Sequence, residues 1–284
     1  MESNSHQAFY SLVRKFRVRR YSGVLFTIMN YQFIGEAAQA LLVNLSPGES
    51  VRAEVAAMLF CNEAIRFEAR PADGLLGGLK RVAGAMTGGE NFFVTHFECL
   101  APGGVVAFGA PHAGKLHALE LGGKSWLCAR ESFLCATSGV KLETSFARKF
   151  GAGLFGGEGF SLQKATGDGT VFLHIGGNLV ESDLQAGQTL RVDPGCIVAI
   201  EPSIGFDIQA VGGFKNYVFG GEGIHLAHLK GPGKALLQTL PMSRLAGRAL
   251  QIGDVFHAAR PGASGLPNAA TSPGGIDIGR IFSE

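Results

Sequence analysis

Three glutamates in glycine-rich phrases are the residues whose type and spacing could do chemistry. The phrase Gly-Gly-Glu occurs three times, which places Glu90, Glu158 and Glu222 at intervals of 68 (158 − 90) and 64 (222 − 158) residues. If the phrases occupy equivalent places around a threefold axis, the carboxylates form a ring that needs a cation or a basic partner segment as counter-charge. Alternatively, each carboxylate accepts backbone N–H bonds in its own turn and holds the strand that follows. Both alternatives make these glutamates candidate interaction residues.

A glycine-rich loop with two basic residues is the second candidate site. Lys80 and Arg81 follow Gly77-Gly78-Leu79 inside the stretch Pro71–Gly84. Loops on a rigid scaffold often carry function, and these two cations could meet a phosphate or an acidic partner. A solvated loop explains the same residues, because two charges attract a polyanion only weakly.

Motifs for other chemistry are missing from the sequence. The eight histidines are scattered without a His-x-His pair, and His225 and His228 are spaced to point to opposite faces of a strand. The five cysteines include no CxxC pair, which is typical of buried thiols in a reducing compartment. Neither Gly-x-Ser-x-Gly nor a phosphate-binding loop occurs. We therefore expect no catalytic residue, no metal site and no cofactor.

Composition narrows the class of protein. Glycine is abundant at 42 residues, which favours many tight turns and hence β structure. The net charge of +2 provides no global basic field and argues against nucleic acid as a partner. Apolar runs stay shorter than the roughly 18–20 residues of a membrane-spanning helix, and we see no secretory signal.

The glutamate phrases belong to a larger repeat. Around each phrase the same order of strand and turn signals recurs, giving about six short strands with a turn every 8–12 residues, the pattern of a sandwich or barrel. One strand of each unit is an apolar run that we expect to be buried: Met58–Cys61, Ser132–Cys135 and Cys196–Ala199. The sequence therefore predicts an all-β protein of three sandwich units packed around a pseudo-threefold axis, with the boundaries 30–110, 111–178 and 179–256.

The two ends lie outside this pattern. Residues 1–29 form a basic extension in which Phe9, Leu12, Val13 and Phe16 have the spacing of a short amphipathic helix. It could be a dispensable extension with Met29 as the true start, a membrane-surface or partner helix, or a targeting segment. Residues 257–284 are rich in Gly, Pro and Ala, and we expect a flexible tail.

Several motifs together resemble a known family. They are the opening Tyr31–Gln39, the turn Leu45–Glu49, Gly77–Arg81, Glu131–Leu134, the phrases Gly156–Gly159 and Gly220–Gly223, and Gly231–Gly233. Over about residues 30–240 the chain is similar to the mitochondrial-biogenesis family named for altered inheritance of mitochondria (member twenty-four), also known in bacteria as a domain of unknown function. The resemblance implies a fold like that of the trp RNA-binding attenuation protein, with three double-stranded β-helix sandwich units in one chain. It implies no enzymatic activity and supplies no catalytic residues.

The function expected from these observations is that of a non-enzymatic interaction or scaffold protein. Mitochondrial members of the family are associated with inner-membrane organisation, so a partner protein, association with a membrane surface and self-association are the expected interactions. The alternative is a nucleic-acid or small-ligand binding module. The location expected is cytoplasmic, as in bacteria, with a mitochondrial location as the alternative.

Overall fold

A computed structural model describes residues 29–54, 56–71, 93–148, 160–211, 224–242 and 244. These residues form nineteen strands. In chain order the strands are β1 Asn30–Ile34, β2 Ala40–Leu45, β3 Ser50–Glu54, β4 Met58–Cys61, β5 Ile65–Pro71, β6 Phe93–Cys99, β7 Gly104–Gly109, β8 Gly114–Glu120, β9 Trp126–Ala129, β10 Phe133–Thr137, β11 Val140–Arg148, β12 Phe160–Gly167, β13 Thr170–Gly176, β14 Leu179–Leu184, β15 Thr189–Val192, β16 Ile197–Ile200, β17 Gly205–Val211, β18 Ile224–Lys230 and β19 Gly233–Gln238.

The predicted all-β class is confirmed, and the described strands make four sheets with antiparallel pairing. The first sheet has the order β1-β2-β7-β4, and the second β5-β6-β3-β10-β13-β8. The third has the order β11-β12-β9-β16-β19-β14, and the fourth β15-β18-β17. Two short 3₁₀ turns, Arg130–Ser132 and Pro194–Cys196, interrupt the strands. Within the described parts of the chain, no helix has the length and apolar character needed to cross a membrane.

Consecutive runs of six strands pair in one scheme. In the runs β2–β7, β8–β13 and β14–β19, the sixth strand lies between the first and the third. The fifth strand lies between the second and the fourth. Two further pairs join successive runs, because β3 pairs with β10 and β9 pairs with β16. In both, the second strand of one run meets the third strand of the next.

The turn between the first two strands of a run shows how sequence sets this geometry. Gly48 and Gly187 have φ of 84° and 83°, a left-handed conformation that glycine adopts without steric cost. In each turn the last side chain, Glu49 or Gln188, accepts a hydrogen bond of 2.7 Å from the first backbone N–H. Local side-chain bonds of this kind stabilise a reversal of the chain.

Three apolar cores lie between successive sheets. The first core joins the first and second sheets, the second core joins the second and third, and the third core joins the third and fourth. Neighbouring residues of one strand serve different cores, because successive side chains of a strand point to opposite faces. In β13, for example, Phe172 belongs to the first core and Leu173 to the second.

Three phenylalanines of the described strands belong to the apolar cores, whereas Phe60 and Phe67 are each 54% exposed. Phe97, Phe160 and Phe172 are all buried, and Phe97 packs edge-on against Phe108 with ring centroids 5.1 Å apart. Aromatic side chains buried in this way cannot act as stacking platforms for nucleotide bases.

The prediction that Met58–Cys61 is a buried run is wrong. Leu59 and Phe60 are 57% and 54% exposed. The reason is position in the sheet: β4 is the edge strand of the first sheet, with β7 on one side. An apolar run predicts a strand, but burial of its side chains depends on what packs on the faces of the sheet at that position.

Candidate interaction surface

The sequence-predicted site residues lie outside the described residues. These are Glu90, Glu158, Glu222, Lys80 and Arg81. Along the chain each glutamate falls between the fourth and fifth strands of its run. The proposals of a carboxylate ring and of a basic loop remain predictions.

The third strand of each run has the same irregular pairing with the sixth. Its first residue is in register, its second residue is skipped by a bulge, and pairing resumes at the third residue. The first residues are Met58, Phe133 and Ile197, opposite Phe108, Leu173 and Leu237. A bulge inserts one residue and redirects the side chains around it. The shared bulge makes β4, β10 and β16 comparable residue by residue.

This comparison shows a difference in burial at two positions. The bulge residue is Leu59 in β4, and its counterparts Leu134 and Val198 are 1% and 0% exposed. The next residue is Phe60, whose counterparts Cys135 and Ala199 are both 0% exposed. The counterparts lie in apolar cores between facing sheets, Leu134 and Cys135 in the first core and Val198 and Ala199 in the second. Their strands also have a second neighbour, β3 beside β10 and β9 beside β16. Within the described residues β4 has no such neighbour.

The free side of β4 is therefore an apolar edge, formed by Leu59 and Phe60 and called here the β4 edge. An edge strand presents backbone N–H and C=O groups that can pair with another strand, and proteins commonly protect such edges with charges or proline. The four residues of β4, Met-Leu-Phe-Cys, include neither. The bulge gives no protection either, because β10 and β16 carry it and still accept a neighbour.

Among the described strands, a second edge strand with one partner is found in the fourth sheet. β15 is the outer strand of the fourth sheet and pairs with β18 on one side. It is the second strand of its run, like β3 and β9, which both pair with a third strand. Its Val192 is 9% exposed and contributes to the third core, whereas Arg191 is exposed to solvent.

A small cavity on the second sheet gives little support to ligand binding. It has a volume of about 120 Å³ and is lined by Gly48, Ser50, Arg66, Phe67, Glu68, His96 and Glu98. Ligand pockets of drug-sized molecules usually span about 300–1,000 Å³. The Arg66 guanidinium lies 2.6 Å from the Glu98 carboxylate, so its charge is already paired.

Sequence reasoning missed one histidine pair. His112 and His174 are 62 residues apart (174 − 112) and their rings meet edge-on with centroids 4.3 Å apart. His174 is 4% exposed, and among the described residues its Nε2 atom has no hydrogen-bond partner. Burial, followed by the positive charge on His112, lowers the pKa of His174 to about 4. In the described part of the chain no group of three His, Cys, Asp or Glu side chains is placed to hold a metal ion.

Comparison with known proteins places the chain in a family. No curated protein sequence matches it. It is similar to the crystal structure of protein SPYM3_0169 from Streptococcus pyogenes, with 22% identity and a TM-score of 0.62, over 79% of this chain and 99% of that chain. This likeness shows a shared fold. The family model described as mitochondrial biogenesis AIM24 matches residues 31–240, as the sequence resemblance predicts. The chain belongs to the mitochondrial biogenesis AIM24 family.

Proposed function

We propose that this protein is a non-enzymatic interaction or scaffold module that binds a partner through the β4 edge. The observation that carries the proposal is the exposure of Leu59 and Phe60 on an edge strand, at positions whose counterparts in β10 and β16 are buried and whose strands have a neighbour on both sides. Removing a large apolar side chain from water contributes roughly 1.5–3 kcal/mol of favourable free energy. Binding of a partner that covers Leu59 and Phe60 would therefore be stabilised by their burial.

Strand addition explains how such a module works without catalysis. Backbone hydrogen bonds to the added strand supply affinity, and the side chains that point into the receiving sheet supply specificity. The β4 edge offers both backbone groups and side chains. Among the described strands its backbone pairs on one side, and the side chains of Leu59 and Phe60 are exposed.

The proposal also covers the division of the chain into three repeated units and the way in which these units pack. The shared pairing scheme of β2–β7, β8–β13 and β14–β19 supports three homologous double-stranded β-helix-like units, with the predicted boundaries 30–110, 111–178 and 179–256. Pseudo-threefold packing would place β4 beside β15, because the first and fourth sheets together contain the strand types of one complete six-stranded sheet. Among the described residues this combined sheet is not continuous, because β4 and β15 do not pair.

The family description suggests the setting of this scaffold. A role in organising an assembly at a membrane, as expected from mitochondrial relatives, agrees with the family description of mitochondrial biogenesis. A cytoplasmic location of the bacterial type and a mitochondrial one both remain proposals. The alternative function, binding of nucleic acid or a small ligand, has weaker support because Phe97, Phe160 and Phe172 are buried and the cavity near Arg66 is small.

Paired charge substitutions test the proposal. The full chain is expressed with Leu59→Lys and Phe60→Lys together, and the size of the native assembly in cell extract is compared with that of the unsubstituted chain. We expect the unsubstituted chain to run in an assembly and the double variant to run at single-chain size, because lysine blocks an edge strand. Thermal unfolding of the double variant should be nearly unchanged, since exposed sites contribute within about 0.5 kcal/mol.

The matched control is Leu100→Lys. Leu100 is 54% exposed, as Phe60 is, but lies in the turn after β6 rather than on the free side of an edge strand. It should leave the assembly intact. Equal assembly sizes for the double variant and the unsubstituted chain would refute binding through the β4 edge.

A further inference from the structure

We propose that the outer face of the fourth sheet binds the phosphate group of a small soluble ligand, at a site formed by Arg191, His228 and Lys230. The outer face is the side of β15, β18 and β17 that is turned away from the third core. This surface is separate from the β4 edge, so the inference goes beyond the function proposed above and does not depend on it.

Strand alternation places the three side chains on the outer face. Their neighbours along β15 and β18 belong to the third core: Leu190, Val192, Ala227 and Leu229. Because successive side chains of a strand point to opposite faces, the three residues point away from that core. Arg191 and Lys230 are exposed, and His228 is half-buried. Among the described residues, none of the core clusters includes a side chain of this outer face.

The register of β15 with β18 brings these side chains together. Arg191 lies directly opposite His228, and Thr189 directly opposite Lys230. Directly opposed residues have Cβ atoms about 4.5–5.5 Å apart, and residues two apart along one strand are separated by roughly 7 Å. The long side chains of Arg191 and Lys230 therefore reach a single tetrahedral anion placed beside the His228 ring. The Thr189 hydroxyl is a further hydrogen-bond donor at the same place.

The basic groups of this site lack a fixed counter-charge. Among the described residues, Arg191, His228 and Lys230 make no ion pair and no side-chain hydrogen bond. A guanidinium or an ammonium in this situation has its donors free for charge-assisted hydrogen bonds to an oxyanion.

Two carboxylates lie on or beside the outer face, and both have other partners. Asp207 lies opposite His228 in β17 and accepts a hydrogen bond of 3.0 Å from the Gln209 side chain. Asp193, which follows β15, accepts a bond of 3.1 Å from the Arg244 guanidinium. Three fixed cations thus face two carboxylates, and protonation of His228 adds a further positive charge. The electrostatic balance of the face favours an anion.

The first run has a similar residue pair without the surplus charge. In the second sheet Arg52 lies opposite His96, which repeats the arginine–histidine pair of the fourth sheet. Two residues after His96, however, the first run has Glu98, whose carboxylate lies 2.6 Å from the Arg66 guanidinium. A carboxylate at this place repels an anion, whereas the fourth sheet has a lysine there. The first run therefore provides a matched pair that should not bind phosphate.

The arrangement fits one dianionic group and not an extended anionic surface. The basic side chains come from two adjacent residue pairs, and Asp193 and Asp207 flank them. A membrane of anionic lipids presents many negative charges, which would also meet these carboxylates and be repelled by them. We therefore assign the site to a soluble ligand with one phosphate group.

Sulfate is a suitable probe for this site. It has the shape and charge of a phosphate dianion and keeps that charge over the range of histidine titration, about pH 5–8. Thermal unfolding of the purified full-length chain is followed at increasing sulfate, with sodium chloride used to match the ionic strength. Sulfate stabilises proteins in general without a specific site, whereas a bound anion adds a rise in Tm that saturates as the site fills.

We expect this saturable rise in the unsubstituted chain and its weakening in two variants. Arg191→Gln and Lys230→Gln each remove one charge-assisted hydrogen bond, so the half-saturating sulfate concentration should increase roughly tenfold. Both residues are exposed, so the Tm without sulfate should hardly change. An equal sulfate response in the unsubstituted chain and in both variants would overturn the site.

The pH dependence of sulfate binding tests the role of His228. Half-saturation should require less sulfate at about pH 5.5 than at about pH 8, because a protonated imidazole adds a positive charge. His228→Gln should abolish this difference, whereas the matched variant His96→Gln should keep it. A pH dependence that persists in His228→Gln would show that the histidine does not contact the anion.

A vesicle experiment separates a soluble ligand from a lipid headgroup. Sedimentation with phosphatidylglycerol vesicles compares the unsubstituted chain with Arg191→Gln. We expect the two chains to sediment equally, because the site binds a soluble phosphate group. Vesicle binding that is lost in Arg191→Gln would overturn the assignment to a soluble ligand.

Discussion

Gln238 ties two sheets together, and its replacement provides the sharpest test of the packing. Its side chain is 7% exposed and lies at the end of β19 in the third sheet. Its Oε1 atom accepts a hydrogen bond of 2.8 Å from the N–H of Gly176 at the end of β13, in the second sheet. Its Nε2 atom donates a bond of 2.8 Å to the carbonyl of Gly195 in the 3₁₀ turn before β16. Gln238→Leu keeps the size of the side chain and removes both bonds.

The magnitude follows from the two groups left behind. Gly176 and Gly195 are buried, so each loses a partner that water cannot replace. An unsatisfied buried group costs about 1–3 kcal/mol, and the added apolar surface of leucine offsets roughly 1 kcal/mol. We expect Gln238→Leu to lower the free energy of unfolding by roughly 1–5 kcal/mol.

Urea unfolding followed by far-ultraviolet circular dichroism measures this change, with Gln188→Leu as the matched control. Gln188 also accepts a 2.7 Å bond from a backbone N–H, that of Gln185, but in an exposed turn where water takes its place. Its replacement should change stability by no more than about 0.5 kcal/mol. If the two variants are equally stable, the argument that buried polar bonds hold the second and third sheets together is refuted.

Two further predictions concern titratable groups. The pKa of His174 is about 4 in the folded chain and 6.5 in its ordinary state. Between these pH values the unfolded chain binds a proton at His174 that the folded chain does not bind. The free energy of unfolding should therefore fall by roughly 1.4 kcal/mol per pH unit as the pH is lowered from about 6.5 to 4. Urea unfolding across this range checks the slope, and a His174→Gln variant that keeps the full slope would contradict it. Burial raises the pKa of the Cys128 thiol to about 12, so iodoacetamide at pH 8 should leave it unmodified in the native chain and modify it in denaturant; native modification of Cys128, detected by mass spectrometry, would show that the second core opens readily.

Much of the strand order could be predicted from the sequence because turns carry local signals. Glycine at Gly48 and Gly187 marks positions where φ is positive, and the apolar runs between such turns become strands. The segment Tyr31–Gln39 carries a family motif and also contains strand β1, whose pairing with β2 its sequence does not indicate. Signals read over a few residues locate strands better than they assign their neighbours.

What the sequence could not supply was the number of neighbours of each strand. Met58–Cys61 and Phe133–Thr137 are similarly apolar, but one lies at an edge and the other in the middle of a sheet. That difference depends on long-range pairing, which local pattern does not encode. The meeting of His112 with His174 was hidden for the same reason. The candidate glutamates were chosen by local phrase alone, and their mutual distance remains a prediction.

The pairing of each second strand with the third strand of the next run has a consequence for how chain length can vary. Whatever number of six-strand runs is joined in tandem, the first run leaves a third strand unmatched and the last run leaves a second strand unmatched. Gain or loss of a whole run by gene duplication or deletion would thus preserve both of these edge strands. Evolution can therefore change the number of units in a polypeptide without redesigning the strands at its two ends.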